Sequence, residues 1–325
     1  MGSRRTSLIP LLATLCALAN AVETSKRGLA YTGDDNDADY NLLLSGKSPI
    51  SWYYTWSLNQ ASDVNDTVPF IPLIHNTDDA SNSDLNSLLN ALPSSSTHLL
   101  AFNEPDGTTD SGGSSIEPED AAKSYLDHIA PLRTSDSRSW NISHPSVTGS
   151  SQGLDWLQRF NKSCYVLDPA GCPMDFVAVH WYGDFSGLAS WLGTLHDFYV
   201  TNSTDANADG LKFWITEMAL PQQDEDATVA MMNSSLSYLD GLDYVQGYAW
   251  FGAFRSDSAN EWTGSSVALF DDDGGLTEAG SLYLGGEENG FAKGTKGEGA
   301  SAAPGISVPM WTMVIAGLAM ITISW

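Results

Sequence analysis

Short apolar runs alternate with helical stripes along most of this chain, and that alternation constrains the fold more than any other feature. The runs are Gly28–Tyr31, Ile50–Tyr54, Phe70–Ile74, His98–Phe102, Ser146–Gly149, Phe176–Trp181, Phe213–Thr216 and Val245–Phe251. Several are continuous rather than alternating, as expected for parallel strands buried on both faces. Between them lie residues at helical spacing: Leu85, Leu88, Leu89 and Leu92; Ala121, Ala122, Tyr125, Ile129 and Leu132; Leu188, Trp191, Leu192, Leu195 and Tyr199; Val229, Met232, Leu236 and Leu239. Pro118, Glu119 and Asp120 suit the first turn of the second helix, and Gly241 closes the last. These stripes face a core and contain no cofactor box.

Eight such strands over about 260 residues predict an α/β protein, a single (β/α)8 TIM barrel over residues 28–285. The rival, a doubly wound open sheet, brings a Gly-rich phosphate loop after its first strand. Here that position reads Gly28-Leu-Ala-Tyr-Thr-Gly-Asp-Asp, which lacks such a loop. Residues 286–305, rich in Gly, Glu, Ala and Lys, are expected to be a flexible stalk.

Charge narrows the ligands. The chain has 14 Lys+Arg against 40 Asp+Glu, a net charge of −26. Such a surface repels phosphate backbones and disfavours polyuronates, so a neutral ligand is expected and a nucleic-acid partner is not. Nothing suggests an assembly, and a monomer is expected.

Both termini read as processing signals. Residues 1–22 carry Arg4 and Arg5, then the apolar run Leu8–Ala19, then small residues, the pattern of a secretory signal peptide. Lys26-Arg27 follows, either a processing site or a chance basic pair. Residues 306–325 form an apolar tail after a short small-residue spacer, the pattern of a GPI signal. Its attachment residue would be Gly299, Ala300 or Ser301, and the lipid anchor the only membrane contact. A tail-anchored helix is the alternative; no Lys or Arg follows the tail to hold one. Cys16 leaves with the signal peptide, and Cys164 and Cys172 are expected to form a disulfide. Five glycosylation sequons, at Asn65, Asn141, Asn161, Asn202 and Asn233, fit a secreted glycoprotein. Asn65, Asn141, Asn161, Asn202 and the cysteine pair are expected in helix-to-strand loops, on the face opposite an active site. A chain leaving from that face or the side would point the cleft away from the membrane.

Chemistry is sought at the C-terminal ends of strands. One strand ends Ala101-Phe102-Asn103-Glu104-Pro105-Asp106, another Trp214-Ile215-Thr216-Glu217. Two carboxylates on one barrel face are what glycoside hydrolysis needs, one to give a proton and one to attack. Sugar rings pack their C–H faces on aromatic planes. The strand-end aromatics Trp56, Trp181 or Tyr182, and Trp250 are the candidates for such contact. His75 and His180 also end strands and could bind substrate or orient a carboxylate. The six histidines show no HExxH or close Cys/His cluster, so no metal or other cofactor is expected. A Ser-His-Asp site lacks its G-x-S-x-G elbow.

At these residues the chain resembles the fungal alkali-sensitive-linkage type of glycosyl hydrolase, glycoside hydrolase family 128. The resemblance rests on Arg27-Gly-Leu-Ala-Tyr, Ser51-Trp-Tyr-Tyr-Thr-Trp, Phe102-Asn-Glu-Pro-Asp, Val179-His-Trp-Tyr-Gly, Trp214-Ile-Thr-Glu and Tyr248-Ala-Trp-Phe-Gly. It implies a compact barrel and retaining cleavage of β-1,3-glucan, of endo or exo type; the terminal signals place the expected enzyme at the cell surface or wall. It also implies Glu104 as acid/base, Glu217 as nucleophile and Asn103 bonded to the sugar 2-hydroxyl. Tyr182 would hold the nucleophile, and Trp250 would floor the cleavage subsite. Transglycosylation, or glucan binding without turnover, are the alternatives.

Overall fold

The computed structural model describes residues 25–33, 36–62, 64, 68–203 and 208–299. The expected signal peptide, the tail, Asn65, Ala300 and Ser301 lie outside them.

The strands are β1 (Arg27–Ala30), β2 (Trp52–Tyr54), β3 (Leu73–Ile74), β4 (His98–Asn103), β5 (Asn141–Ser146), β6 (Phe176–Tyr182), β7 (Lys212–Ala219) and β8 (Val245–Trp250). All their pairings are parallel, in the order β2-β1-β8-β7-β6-β5-β4-β3. A parallel bridge between Tyr53 and Phe70 joins the two ends of the sheet and makes it a barrel. The helices are α1 (Asp37–Leu43), α2 (Thr77–Ala80), α3 (Leu85–Ala91), α4 (Pro118–Ser124), α5 (Ser151–Leu167), α6 (Phe185–His196), α7 (Glu225–Asp240) and α8 (Glu278–Tyr283). No helix lies between β2 and β3 among the described residues. The (β/α)8 expectation is otherwise met.

Side chains of one strand alternate between two cores, which explains the continuous apolar runs. Ala30, Trp52, Tyr54, Leu100, Phe176, Ala178, Trp214 and Ala249 fill the barrel interior. Leu29, Tyr53, Leu99, Ala101, Val177, Val179, Phe213, Ile215, Tyr248 and Trp250 pack in the layer between sheet and helices.

The fifth strand lies earlier than its expected position at Ser146–Gly149. Its core is polar: Ser143, His144 and Ser146 are buried. Ala101 N donates to Ser143 Oγ at 3.0 Å, and His144 Nε2 to the Cys172 carbonyl at 2.9 Å. Burial pushes the His144 pKa down to about 4. Local pairing lets this strand dispense with an apolar signature.

Two expectations at the ends are corrected. Lys26 and Arg27 are not loose basic residues. Lys26 Nζ donates to the Leu239, Asp240 and Leu242 carbonyls, closing the C-terminus of α7, and Arg27 Nη1 donates to Tyr283 O at 2.6 Å. Nor are residues 286–299 a stalk. Phe291 is buried, Leu276 N donates to Thr295 O at 2.9 Å, and Gly275 bridges Lys296. Lys293 pairs with Glu225 at 2.8 Å. A Cβ on Gly297 would stand 1.7 Å from the Ala38 carbonyl, so only glycine fits there. Glu225 and Ala38 begin α7 and α1, whose N-terminal ends lie at the C-terminal end of the strands. The described chain therefore finishes at the C-terminal end of the barrel strands, not at the opposite face or the side.

Cys164 and Cys172 are bonded, as expected. Cys164 and Asn161 sit within α5 rather than in the following loop, and Asn233 is exposed on α7. Asn141 opens β5 and Asn202 follows α6; both are exposed at the opposite end of the barrel. The disulfide closes a loop with a sequence separation of 8. Replacing both cysteines by serine is expected to cost about 2–3 kcal/mol, read as a lower denaturant midpoint.

Candidate active site

Glu104 and Glu217 both face the barrel mouth, and irregularities in the strands put them there. From Leu100 inward, strict alternation would turn Phe102 inward and Asn103 outward. The β4–β5 register shifts between Ala101 and Asn103. Phe102 instead joins the outer core and Asn103 is buried. In β7 the partner of Val179 is Ile215, but the partner of His180 is Glu217. The extra residue, Thr216, reverses the side-chain parity, so Met218 enters the outer core and Glu217 faces His180.

Three donors converge on Glu217. Trp56 Nε1 and the Tyr54 hydroxyl donate to Oε1 at 2.7 and 3.2 Å, and the Tyr182 hydroxyl donates to Oε2 at 2.6 Å. These bonds fix the orientation of the Glu217 carboxyl group. Burial, then the charge of Glu217, pushes the Tyr54 and Tyr182 hydroxyls well above the usual phenol range, so both remain donors.

His180 stands between the carboxylates, its side chain only 1 % exposed. Nδ1 lies 2.9 Å from Glu104 Oε1 and Nε2 lies 3.5 Å from Glu217 Oε1. Burial opposes its charge, but Glu217 and the bond to Glu104 outweigh this and raise its pKa. Glu104 is 13 % exposed. Burial raises its pKa, and the hydrogen bond and charge of His180 offset only part of that. One oxygen of each carboxylate and a His180 nitrogen lie within 4.8 Å of one another. The same three groups are potential metal ligands.

The backbone is strained here. Glu104 has φ 38° and Trp56 φ 55°, a conformation costing a non-glycine residue roughly 1–2 kcal/mol. Glu104 N donates to Ser146 O at 2.8 Å, which fixes the turn. Asn103 Nδ2 and His75 Nε2 both donate to the Gly112 carbonyl, at 3.1 and 3.2 Å. Asn103 Oδ1 is buried without a partner among the described residues. Burial lowers the pKa of His75, so this tether is a neutral imidazole.

One aromatic candidate needs correction. Trp250 is fully buried, and its Nε1 donates to the Val267 carbonyl at 2.8 Å. It lies on the outward side of β8, and its ring cannot floor a subsite. Trp181 packs on Gly149, Gly183 and Gly187 and donates to the Asp184 carbonyl. Of the pair at the end of β6, Tyr182 is the one that reaches Glu217. Trp56, expected against sugar, also uses its indole N–H on Glu217. The residue missed is Tyr54. Its place beside Trp52 on β2 gave no sign that its hydroxyl crosses the barrel to β7.

Paired glutamates at one end of a parallel barrel define the class: a glycoside hydrolase scaffold. The chain belongs to the glycosyl hydrolase catalytic core family, whose model matches residues 28–283. It is 31% identical over 271 residues to alkali-sensitive linkage protein 1 of Schizosaccharomyces pombe, covering 80% of this chain and 44% of that protein. The chain thus spans about half the length of that relative. Its fold is similar to a curdlan-specific exo-β-1,3-glucanase of GH128 subgroup III from Blastomyces gilchristii, solved with glucose. The TM-score is 0.60 at 25% identity, over 81% of this chain and 98% of the other. A subgroup VI exo-β-1,3-glucanase from Aureobasidium namibiae shares the fold with a TM-score of 0.63 at 20% identity, over 81% and 97% of the chains.

Proposed function

We propose that this protein hydrolyses β-1,3-glucan by double displacement with retention of configuration. The carrying observation is the carboxylate spacing: an oxygen of Glu104 and one of Glu217 lie within 4.8 Å. Retaining enzymes hold these groups about 5–5.5 Å apart, inverting ones about 6.5–9.5 Å. Glu217, held by Trp56, Tyr54 and Tyr182, attacks the anomeric carbon. Glu104, whose pKa burial raises, gives its proton to the departing glycosidic oxygen. The resulting glycosyl ester on Glu217 is then attacked by water, from which Glu104 takes a proton. Asn103 offers its unpartnered Oδ1 to a sugar hydroxyl. Relatives that act on β-1,3-glucan and the strong negative charge both favour this neutral substrate.

The setting belongs to the same proposal: a secreted, glycosylated, monomeric protein held at the cell surface by a GPI anchor at Gly299, Ala300 or Ser301. The disulfide and the exposed sequons support secretion. Because residues 293–297 lie along the catalytic end, such an anchor would tether the barrel by that end.

Mass spectrometry of linear β-1,3-gluco-oligosaccharides incubated with the protein tests the reaction. Shorter products are expected. Products longer than the substrate would mark a transglycosylase, and tight binding without products would mark a glucan-binding protein.

His180 supplies a pH test. Glu104 works as an acid below its pKa, and His180 lowers that pKa. In His180→Asn the alkaline limb of kcat/KM should therefore move to higher pH. The maximal rate should fall about 10²-fold, because the acid loses its fixed position. An unmoved limb would remove His180 from the proton inventory.

A further inference from the structure

Trp262 is 63% exposed, although tryptophan has more apolar surface to lose than any other side chain. Among the described residues the other large exposed apolar side chains are consecutive, Tyr165, Val166 and Leu167, at the C-terminal end of α5 and so at the far end of the barrel. Trp262 lies in the loop that follows β8, at the catalytic end.

That loop is not loose. Asn260 Oδ1 accepts bonds from Trp262 N, Thr263 N and Thr263 Oγ1 at 3.0, 2.9 and 3.0 Å. Gln222, three residues beyond the end of β7, grips it from the other side. Its backbone N–H donates to Thr263 O at 2.9 Å, and its Nε2 donates to the carbonyls of Glu261 and Trp262. To do so Gln222 adopts φ 57°, the left-handed region. Besides Gln222, the non-glycine residues with positive φ among the described residues are Trp56, Glu104 and Ser115, and two of these belong to the candidate site. Strain of this kind persists where a fixed geometry is used. Thr263 beside it is 4% exposed, so the loop buries its neighbour and presents the indole.

We infer that Trp262 is a sugar-stacking platform at the rim of the cleft, binding a glucan unit remote from the scissile bond. This deepens the glucanase reading and rests on it. Gln222 ties the platform to the strand that carries Glu217, so both move as one body. The platform can touch only a chain long enough to reach it. Its effect is selection for long substrates, without a part in bond cleavage.

The test compares the protein and Trp262→Ala on laminaritriose and laminarihexaose. Trp262→Ala should lose roughly tenfold in kcat/KM on the hexaose, equivalent to about 1.4 kcal/mol, and less than about twofold on the triose. Trp262→Tyr should recover most of the loss. Equal effects on both substrates, or no effect on the hexaose, would overturn the inference while turnover by the unchanged protein upheld the glucanase reading. If the unchanged protein cleaves neither sugar, that reading fails, and calorimetric titration with laminarihexaose decides the platform. Weaker binding by Trp262→Ala would support it, and equal or absent binding would overturn it.

Discussion

Glu217→Gln is expected to reduce turnover of laminari-oligosaccharides by about 10⁴-fold or more, the scale of losing a nucleophile. Affinity for the same sugars should change little. Glutamine preserves the volume of the buried group and leaves an amide oxygen for Trp56 and Tyr54. The Tyr182 hydroxyl can rotate to accept from the new NH2. What disappears is the charge and the oxygen that forms the ester. Single-turnover kinetics beside calorimetric titration separate the two effects. A variant retaining a tenth of its activity would remove Glu217 from the mechanism.

Glu104→Ala should lose about 10²–10⁴-fold on a natural glucan, the range of general acid–base assistance. The loss should depend on the leaving group. An aryl glycoside, whose phenolate departs without a proton, should be spared in the first step. Azide, which needs no general base, should then restore turnover and give a glycosyl azide of unchanged anomeric configuration. The pH profile carries the same assignment. Burial raises the pKa of Glu104, so the acid form persists above the ordinary carboxyl range. Activity of the unaltered protein should fall as pH rises through that raised value, and the variant should lose this limb. An alkaline limb kept intact, with no response to azide, would assign the proton to another group.

Much of this site was legible because its residues fall at strand ends. Asn103-Glu104 and Glu217 stand there in the sequence, as do His180 and Tyr182. The barrel was legible because strands buried on two faces must be continuously apolar. What sequence could not give was parity. Thr216 and Phe102 are ordinary strand residues, yet the register shifts at them decide which neighbour faces inward. Counting by two from Ala249 places Trp250 in the outer layer, but its position at a strand end read as a place in the cleft. Tyr54 was hidden for another reason: its partner comes from 163 residues further along the chain. The polar fifth strand and the packed segment 286–299 share that cause. Both are held by specific pairings, and composition records none of them.

The stereochemistry of cleavage tests the central claim most directly. Laminarihexaose would be mixed with the protein in deuterated buffer and followed by proton NMR from the first minutes, before mutarotation. Attack by Glu217 followed by water gives two inversions, so the first-formed reducing end should be the β-anomer. An α-anomer appearing first would mean a single displacement, and the assignment of Glu217 as nucleophile would be wrong.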